Sequence, residues 1–211
     1  MRATLLHGLE ALSEEIFVER LSPPQRVFIL GAGDDAKPLV SMGSLLGWTM
    51  NVLDGRAQLA RPERFPEAER VETIHSPTSD LQGVERKDAV VLMTHSYEQD
   101  RDLLAAVLPM RPSYLGLLGG RHRTSLLISE VAEKLGWSTT ECCAHMHAPV
   151  GLDLGGDGPE LIALAVIAEV QAARMGRLGG SRKLSAQDVE SDLREGGSAR
   201  YLQASCALDT L

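Results

Sequence analysis

The chain has 211 residues, enough to bury a sizeable core, and is 44% apolar but only 4% aromatic. Its 21 Lys and Arg against 29 Asp and Glu leave a net charge of -8. That argues against non-specific binding to nucleic acid or anionic membranes, and the few aromatics argue against a base-stacking platform.

Residues 1–25 read as an appendage or linker, stiffened by "SPPQ". "RVFIL" is a continuous apolar run, the pattern of a strand buried on both faces. A helix over 35–46 comes next, ending near Gly47, then strands in "WTMNVLD" and "RVETIH". "DAVVLMTH" is the cleanest strand, and "EQDRDLLAAVL" is a helix stopped by Pro109. "SYLGLLG" is the fifth strand, followed by the helix "RHRTSLLISEVAEKLG". The last helix lies in "GDGPELIALAVIAEVQAARMGR", with Asp157 placed to cap it, and its apolar middle leaves homo-oligomer formation open. From Gly179 the composition turns to Gly, Ser and charge, as in a flexible tail.

Strands alternating with helices predict an α/β fold, a doubly wound, mostly parallel, Rossmann-like sheet of order 3-2-1-4-5 occupying residues 26–178. No apolar run reaches the roughly 18 residues of a membrane span. The N-terminus lacks a secretory apolar core, and Cys142, Cys143 and Cys206 are an odd, small set. A reducing, cytoplasmic location is therefore expected.

Ligands of such sheets bind beyond the carboxyl ends of the strands, near the point where strand order reverses. Four groups fall there: Gly31, Gly33, Asp34 and Asp35; Asp54 and Arg56; Thr94 and His95; Gly119, Gly120 and Arg121. Gly31-x-Gly33-x-x-Ala36 is a dinucleotide fingerprint, and Asp54 lies where a ribose-binding acid would. Asp34 and Asp35 stand where a phosphate would sit. Either they cap the following helix, or they deter a pyrophosphate and hold a cation or a ligand's amino groups. "GLLGGRHR" offers a second anion site: free backbone at two glycines, a helix start, and the charges of Arg121 and Arg123.

"ECCAHMHAPVGLDLG" combines Cys142, Cys143, His145 and His147, but adjacent cysteines are poor zinc spacing and no Cys-x-x-Cys exists. The segment reads as a loop with buried thiols, or as a rigid crevice wall of His147, Pro149, Gly151 and Asp153, with no tightly bound metal ion expected.

Together, "FVERLSPPQRVFILGAGDDAKPLV", "GWTMNVLDGR", "VVLMTHSYEQD", "YLGLLGGRHR" and "HAPVGLDLGGDGPELIALAVIAEV" resemble the Rossmann-like domain of the XdhC/CoxI family, maturation factors for xanthine dehydrogenase and carbon monoxide dehydrogenase. The resemblance implies a chaperone that binds molybdenum cofactor (a pterin) and assists its sulfuration or insertion into an apo molybdenum hydroxylase. It makes the crevice residues the cofactor- or nucleotide-binding surface. Full-length members carry an N-terminal domain with a cysteine implicated in cofactor handling, whose role Cys142 and Cys143 cannot simply inherit. A sulfur donor or a separate N-terminal family domain is thus an expected partner. Two other readings stand: an NAD(P)-dependent oxidoreductase with Asp54 on the ribose and His95 or His147 as proton donor, and a nucleotide-sensing assembly module.

Overall fold

The computed structural model describes residues 23–76, 80–179, and 183, 185 and 187. The chain falls into two compact units that divide between Val170 and Gln171, and the whole sheet belongs to the first. Most of the expected tail, Cys206, and all but three residues of the expected N-terminal appendage lie outside the described residues. Of those three, Gln25 is buried and its side chain donates to the Lys87 carbonyl at 3.1 Å.

Five parallel strands form one sheet of order β3-β2-β1-β4-β5: β1 (Arg26–Leu30), β2 (Thr49–Asp54), β3 (Arg70–Thr73), β4 (Ala89–Leu92) and β5 (Tyr114–Leu117). The order and direction are those expected from the sequence, and the physical cause is plain. β4 and β5 are buried at every position, so both their faces must be covered, and parallel strands need helical crossovers that supply the cover. The helices are α1 (Ala36–Leu45), α2 (Tyr97–Val107), α3 (Arg121–Leu135), α4 (Thr139–Ala144) and α5 (Pro159–Arg174). Helix α2 starts on Ser96, whose hydroxyl accepts from Gln99 N, and α3 ends on Gly136 at φ 69°. Among the described residues no helix is long and apolar enough to cross a membrane.

Strands β4 and β5 stop at Leu92 and Leu117, so Thr94–His95 and Gly119–Gly120 follow the carboxyl ends as expected. One detail departs from expectation: the segment expected to be a loop with buried thiols begins as a six-residue helix, α4, capped by the Ser138 hydroxyl on Glu141 N at 3.1 Å.

The residues after β1 meet those after β4 at close quarters. Gly31 N donates to the Leu53 carbonyl at 2.8 Å, and a Cβ on Gly31 would stand 2.4 Å from the Met93 oxygen, with φ at 128°. Only glycine permits this approach. Gly31→Ala is expected to destabilise the protein by about 3 kcal/mol, roughly a 10 °C fall in melting temperature by calorimetry.

Candidate functional site

The turns after β1, β4 and β5 converge. Asp35, Met93, His95, Leu118, Gly119, Gly120, Arg123 and Ile162 line one open cleft of about 510 Å³. Asp35 of the first turn and Gly119–Gly120 of the turn after β5, far apart in the chain, therefore face a common space at the point where strand order reverses, while Gly31 and Gly33 do not line it.

The two aspartates of the first turn do not cap α1. Asp35 is the residue before the helix, but it is itself helical (φ -68°, ψ -20°) and its side chain accepts no capping bond. A capping carboxylate needs an extended backbone to fold back on the helix start, and Asp35 lacks it. Its Oδ2 instead lies 2.7 Å from Nε2 of His95. Asp34 faces solvent, paired with Lys37 at 2.7 Å and Arg64 at 2.9 Å, and its carboxyl is held below the ordinary range chiefly by the Lys37 bond. Arg64 also donates to the Ala32 carbonyl at 2.7 Å, so it pins the turn from outside.

His95 takes the left-handed conformation at φ 62°. It is held there from the neighbouring residue. Thr94 donates its hydroxyl to Asp100 Oδ1 at 2.7 Å, and the other Asp100 oxygen accepts from Arg123 at 2.8 Å. Asp100 is fully buried, so the Arg123 charge is what its carboxylate leans on. This chain of contacts ties the β4 turn to the first turn of α3. Asp100 carries no signal in the sequence, where "EQDRD" reads as the polar face of a helix.

Asp54 is fully buried, and its carboxylate is engaged internally on both oxygens. Oδ2 accepts from Ala32 N at 2.6 Å and from Arg56 Nη2 at 2.7 Å; Oδ1 accepts from Arg56 N at 2.8 Å and Arg56 Nε at 2.9 Å. Burial works against its ionisation, but the guanidinium and the two amides outweigh it and hold the carboxyl below the usual range. Arg56 reaches on to the Thr94 carbonyl at 3.4 Å. The acid at the ribose position is therefore a clasp on the glycine turn.

After β5, Gly119 has φ 152° and a Cβ there would lie 3.2 Å from Arg123 Nη1; nothing lies within 4 Å of a Cβ on Gly120. Gly120 precedes α3 with no side-chain cap, which leaves the start of the helix open toward solvent and the cleft. Arg121 is exposed.

The "HAPVGLD" segment runs beside β5, with His147 bridged to Gly116 and Val150 N donating to the Leu117 carbonyl at 3.0 Å. His147 does not line the cleft. Its ring stacks on Tyr114 at 4.6 Å, and Nδ1 lies 3.4 Å from Glu169. The buried Glu169 also accepts from the Tyr114 hydroxyl at 2.5 Å and from Gly151 N at 2.8 Å. Burial, and then this carboxylate, push the Tyr114 hydroxyl far above its ordinary value. Gly151 packs on α5, where a Cβ would stand 3.0 Å from that of Ala165. The Ala148–Pro149 peptide is cis. Asp153 lines a smaller groove of about 170 Å³ that shares Leu118 and Ile162 with the cleft.

Cys142 is buried, its thiol pushed up by burial, whereas Cys143 is exposed. Among the described residues no group of three His, Cys, Asp or Glu side chains is placed to hold a metal ion.

Residues 27–170 match the XdhC Rossmann domain. The chain belongs to the XdhC family. It is 32% identical over 161 residues to a probable xanthine dehydrogenase subunit from Bacillus subtilis, covering 75% of this chain and 46% of that protein. It is 27% identical over 153 residues to the molybdenum cofactor insertion chaperone PaoD of Escherichia coli K12, covering 72% and 41%. The crystal structure of a xanthine dehydrogenase from Bacillus halodurans superposes with a TM-score of 0.62 at 28% identity, covering 80% of this chain and 47% of that one. The chain thus spans about half or less of the length of these relatives. The cleft of Asp35, His95 and Gly119–Gly120 lies within the residues that match the XdhC Rossmann domain.

The Asp54 clasp predicts an acid-side stability change. A carboxyl lowered in the folded state adds stability above its unfolded value of about 3.9, and that stability is lost as pH falls through the folded value. Asp54→Asn is expected to cost about 2 kcal/mol at neutral pH, a modest figure because the Arg56 side chain is 36% exposed and screened. In urea unfolding the difference from wild type should shrink as pH falls below the unfolded value of about 3.9 and vanish once the folded wild-type carboxyl takes up its proton.

Proposed function

We propose that this XdhC-family domain is a maturation factor that binds molybdenum cofactor and assists its sulfuration or insertion into an apo molybdenum hydroxylase. The observation that carries the proposal is the asymmetry of the cleft. One wall is an open helix start with two bare glycines and an arginine; the other is a carboxylate joined to an imidazole. Gly120 and the first amides of α3 fit a phosphate. Asp35 fits the amino and ring N–H edge of a pterin, which a phosphate-binding first turn would not. Arg123, held by Asp100, sets the α3 turn against the His95 turn. Once delivered, the cofactor supplies the redox centre of the receiving enzyme; this chain holds and orients it.

The family membership and the named insertion chaperone among its relatives support the same reading. The partner is the apo hydroxylase, with sulfur coming from a separate donor or from a separate N-terminal family domain. An NAD(P)-dependent oxidoreductase is less well supported, because the Asp54 carboxylate would have to leave Ala32 and Arg56 to meet a ribose.

Calorimetric titration of the purified chain with molybdenum cofactor is expected to give saturable binding in the micromolar range or tighter, about -8 kcal/mol. Asp35→Ala and His95→Ala should each weaken it by about tenfold, without unfolding the protein. Absence of measurable heat with intact cofactor, or wild-type affinity in both variants, rejects the proposal.

A further inference from the structure

Helix α5 is apolar on two sides. Ala163, Val166, Ile167 and Val170 are buried. Leu161, Leu164, Ala168 and Gln171 lie along another side, at intervals of three, four and three residues, and Met175 follows four residues on. That spacing is the seam along which one helix packs on another. The described residues leave it uncovered: Leu161 is 43% exposed, Leu164 46% and Met175 52%. A helix with apolar residues all round belongs inside a larger structure. Of residues 161–173 only Glu169 is charged, and its carboxylate is turned inward to Tyr114 and Gly151. No charge therefore interrupts the seam.

The charges sit at the two ends and are opposite in sign. Asp157 and Glu160 stand at the amino end, and both are exposed. Arg174 closes the helix, and the exposed Arg177 follows, its amide donating to the Ala172 carbonyl at 2.7 Å. A partner for this face must be apolar in the middle, basic opposite the amino end and acidic opposite the carboxyl end. The face itself, turned end for end, meets that description. The helix dipoles favour the same antiparallel arrangement. Ala168, near the middle, is small enough to let two such helices approach to about 8–10 Å.

We infer that this face of α5 binds a second copy of the chain, the two α5 helices running antiparallel about a twofold axis near Ala168. Each contact then occurs twice, as in any isologous interface. Leu161 meets Met175 of the second copy, and Asp157 and Glu160 meet its Arg177. The pairing also reaches the site. Ile162 lines the cleft, and Leu161 lines the adjoining groove of about 170 Å³ together with Leu152 and Leu154. The carboxyl end of the second copy's α5 lies beside that groove and supplies its outer wall.

Sedimentation of the 211-residue chain without cofactor tests this inference apart from the proposed function. A dimer with a dissociation constant in the micromolar range is expected. Leu164→Lys brings like charges into the apolar middle of the pair and should weaken the dimer by about a hundredfold or more. The position is 46% exposed in one copy, so the variant should still fold. Glu160→Arg and Arg177→Glu should each weaken the dimer about tenfold. Combined in one chain they should restore it, because every reversed charge again meets its opposite. Amide exchange at Leu154 and Gly155 should slow when the dimer forms. The inference is overturned if the chain is a monomer at about 100 μM, well above a micromolar constant. It is equally overturned if Leu164→Lys leaves the dimer intact, if the double reversal is no tighter than the single ones, or if the two amides exchange alike in monomer and dimer. Should Leu164→Lys fail to fold, the three charge-reversal variants decide alone.

Discussion

The site depends on one buried carboxylate. Asp54 closes β2 and spends its oxygens on the Ala32 amide of the glycine turn and on the Arg56 guanidinium. An ionised carboxylate with no solvent exposure is tolerable only when it is met by charge and amide donors, and this one is met on both oxygens. The consequence reaches beyond stability. With Ala32 pinned to Asp54, and Gly31 close against Met93, the first turn is held on two sides. Asp35 is thereby delivered to His95 and not to the start of its own helix.

The same logic recurs after β4. Thr94, Asp100 and Arg123 form a buried chain that sets His95 on one side and the α3 turn on the other. Both Asp100 oxygens are met, one by Thr94 and the other by Arg123, so the buried carboxylate stabilises the arrangement. Two clasps, Asp54–Arg56 and Asp100–Arg123, thus hold the walls of one cleft, and Arg56 links them through the Thr94 carbonyl. A third buried carboxylate, Glu169, does the equivalent at the sheet edge, fastening the segment after His147 to α5 through Tyr114 and Gly151. A cleft held in this way leaves little ordering to be done when a ligand arrives.

Much of the architecture is legible in the residue order. Apolar runs such as "RVFIL" and "AVVL" cannot face water on either side, and their alternation with helical stretches leaves a doubly wound parallel sheet as the simplest solution. The carboxyl-end rule then brings Asp35, His95 and Gly119–Gly120 to one place without any contact being known. What the residue order hides is how each charge is spent. Asp35 is expected to cap because Asp commonly does; it fails to because its own backbone is helical. Asp54 looks like a ribose ligand by spacing alone, yet spacing does not reveal that Arg56 folds back on it. His147 belongs to the most distinctive segment, but the parallel run beside β5 carries it to the sheet edge and away from the cleft.

By itself, then, the sequence determined the fold class and strand order of this protein, because those follow from local periodicity and from which residues can be buried, while its motif segments carried the family resemblance. Only the tertiary structure decided which acids are clasps and which line the cleft, because a carboxylate's role depends on partners far along the chain: Ala32 for Asp54, His95 for Asp35. Partner choice is a matter of geometry in three dimensions, and no linear spacing encodes it.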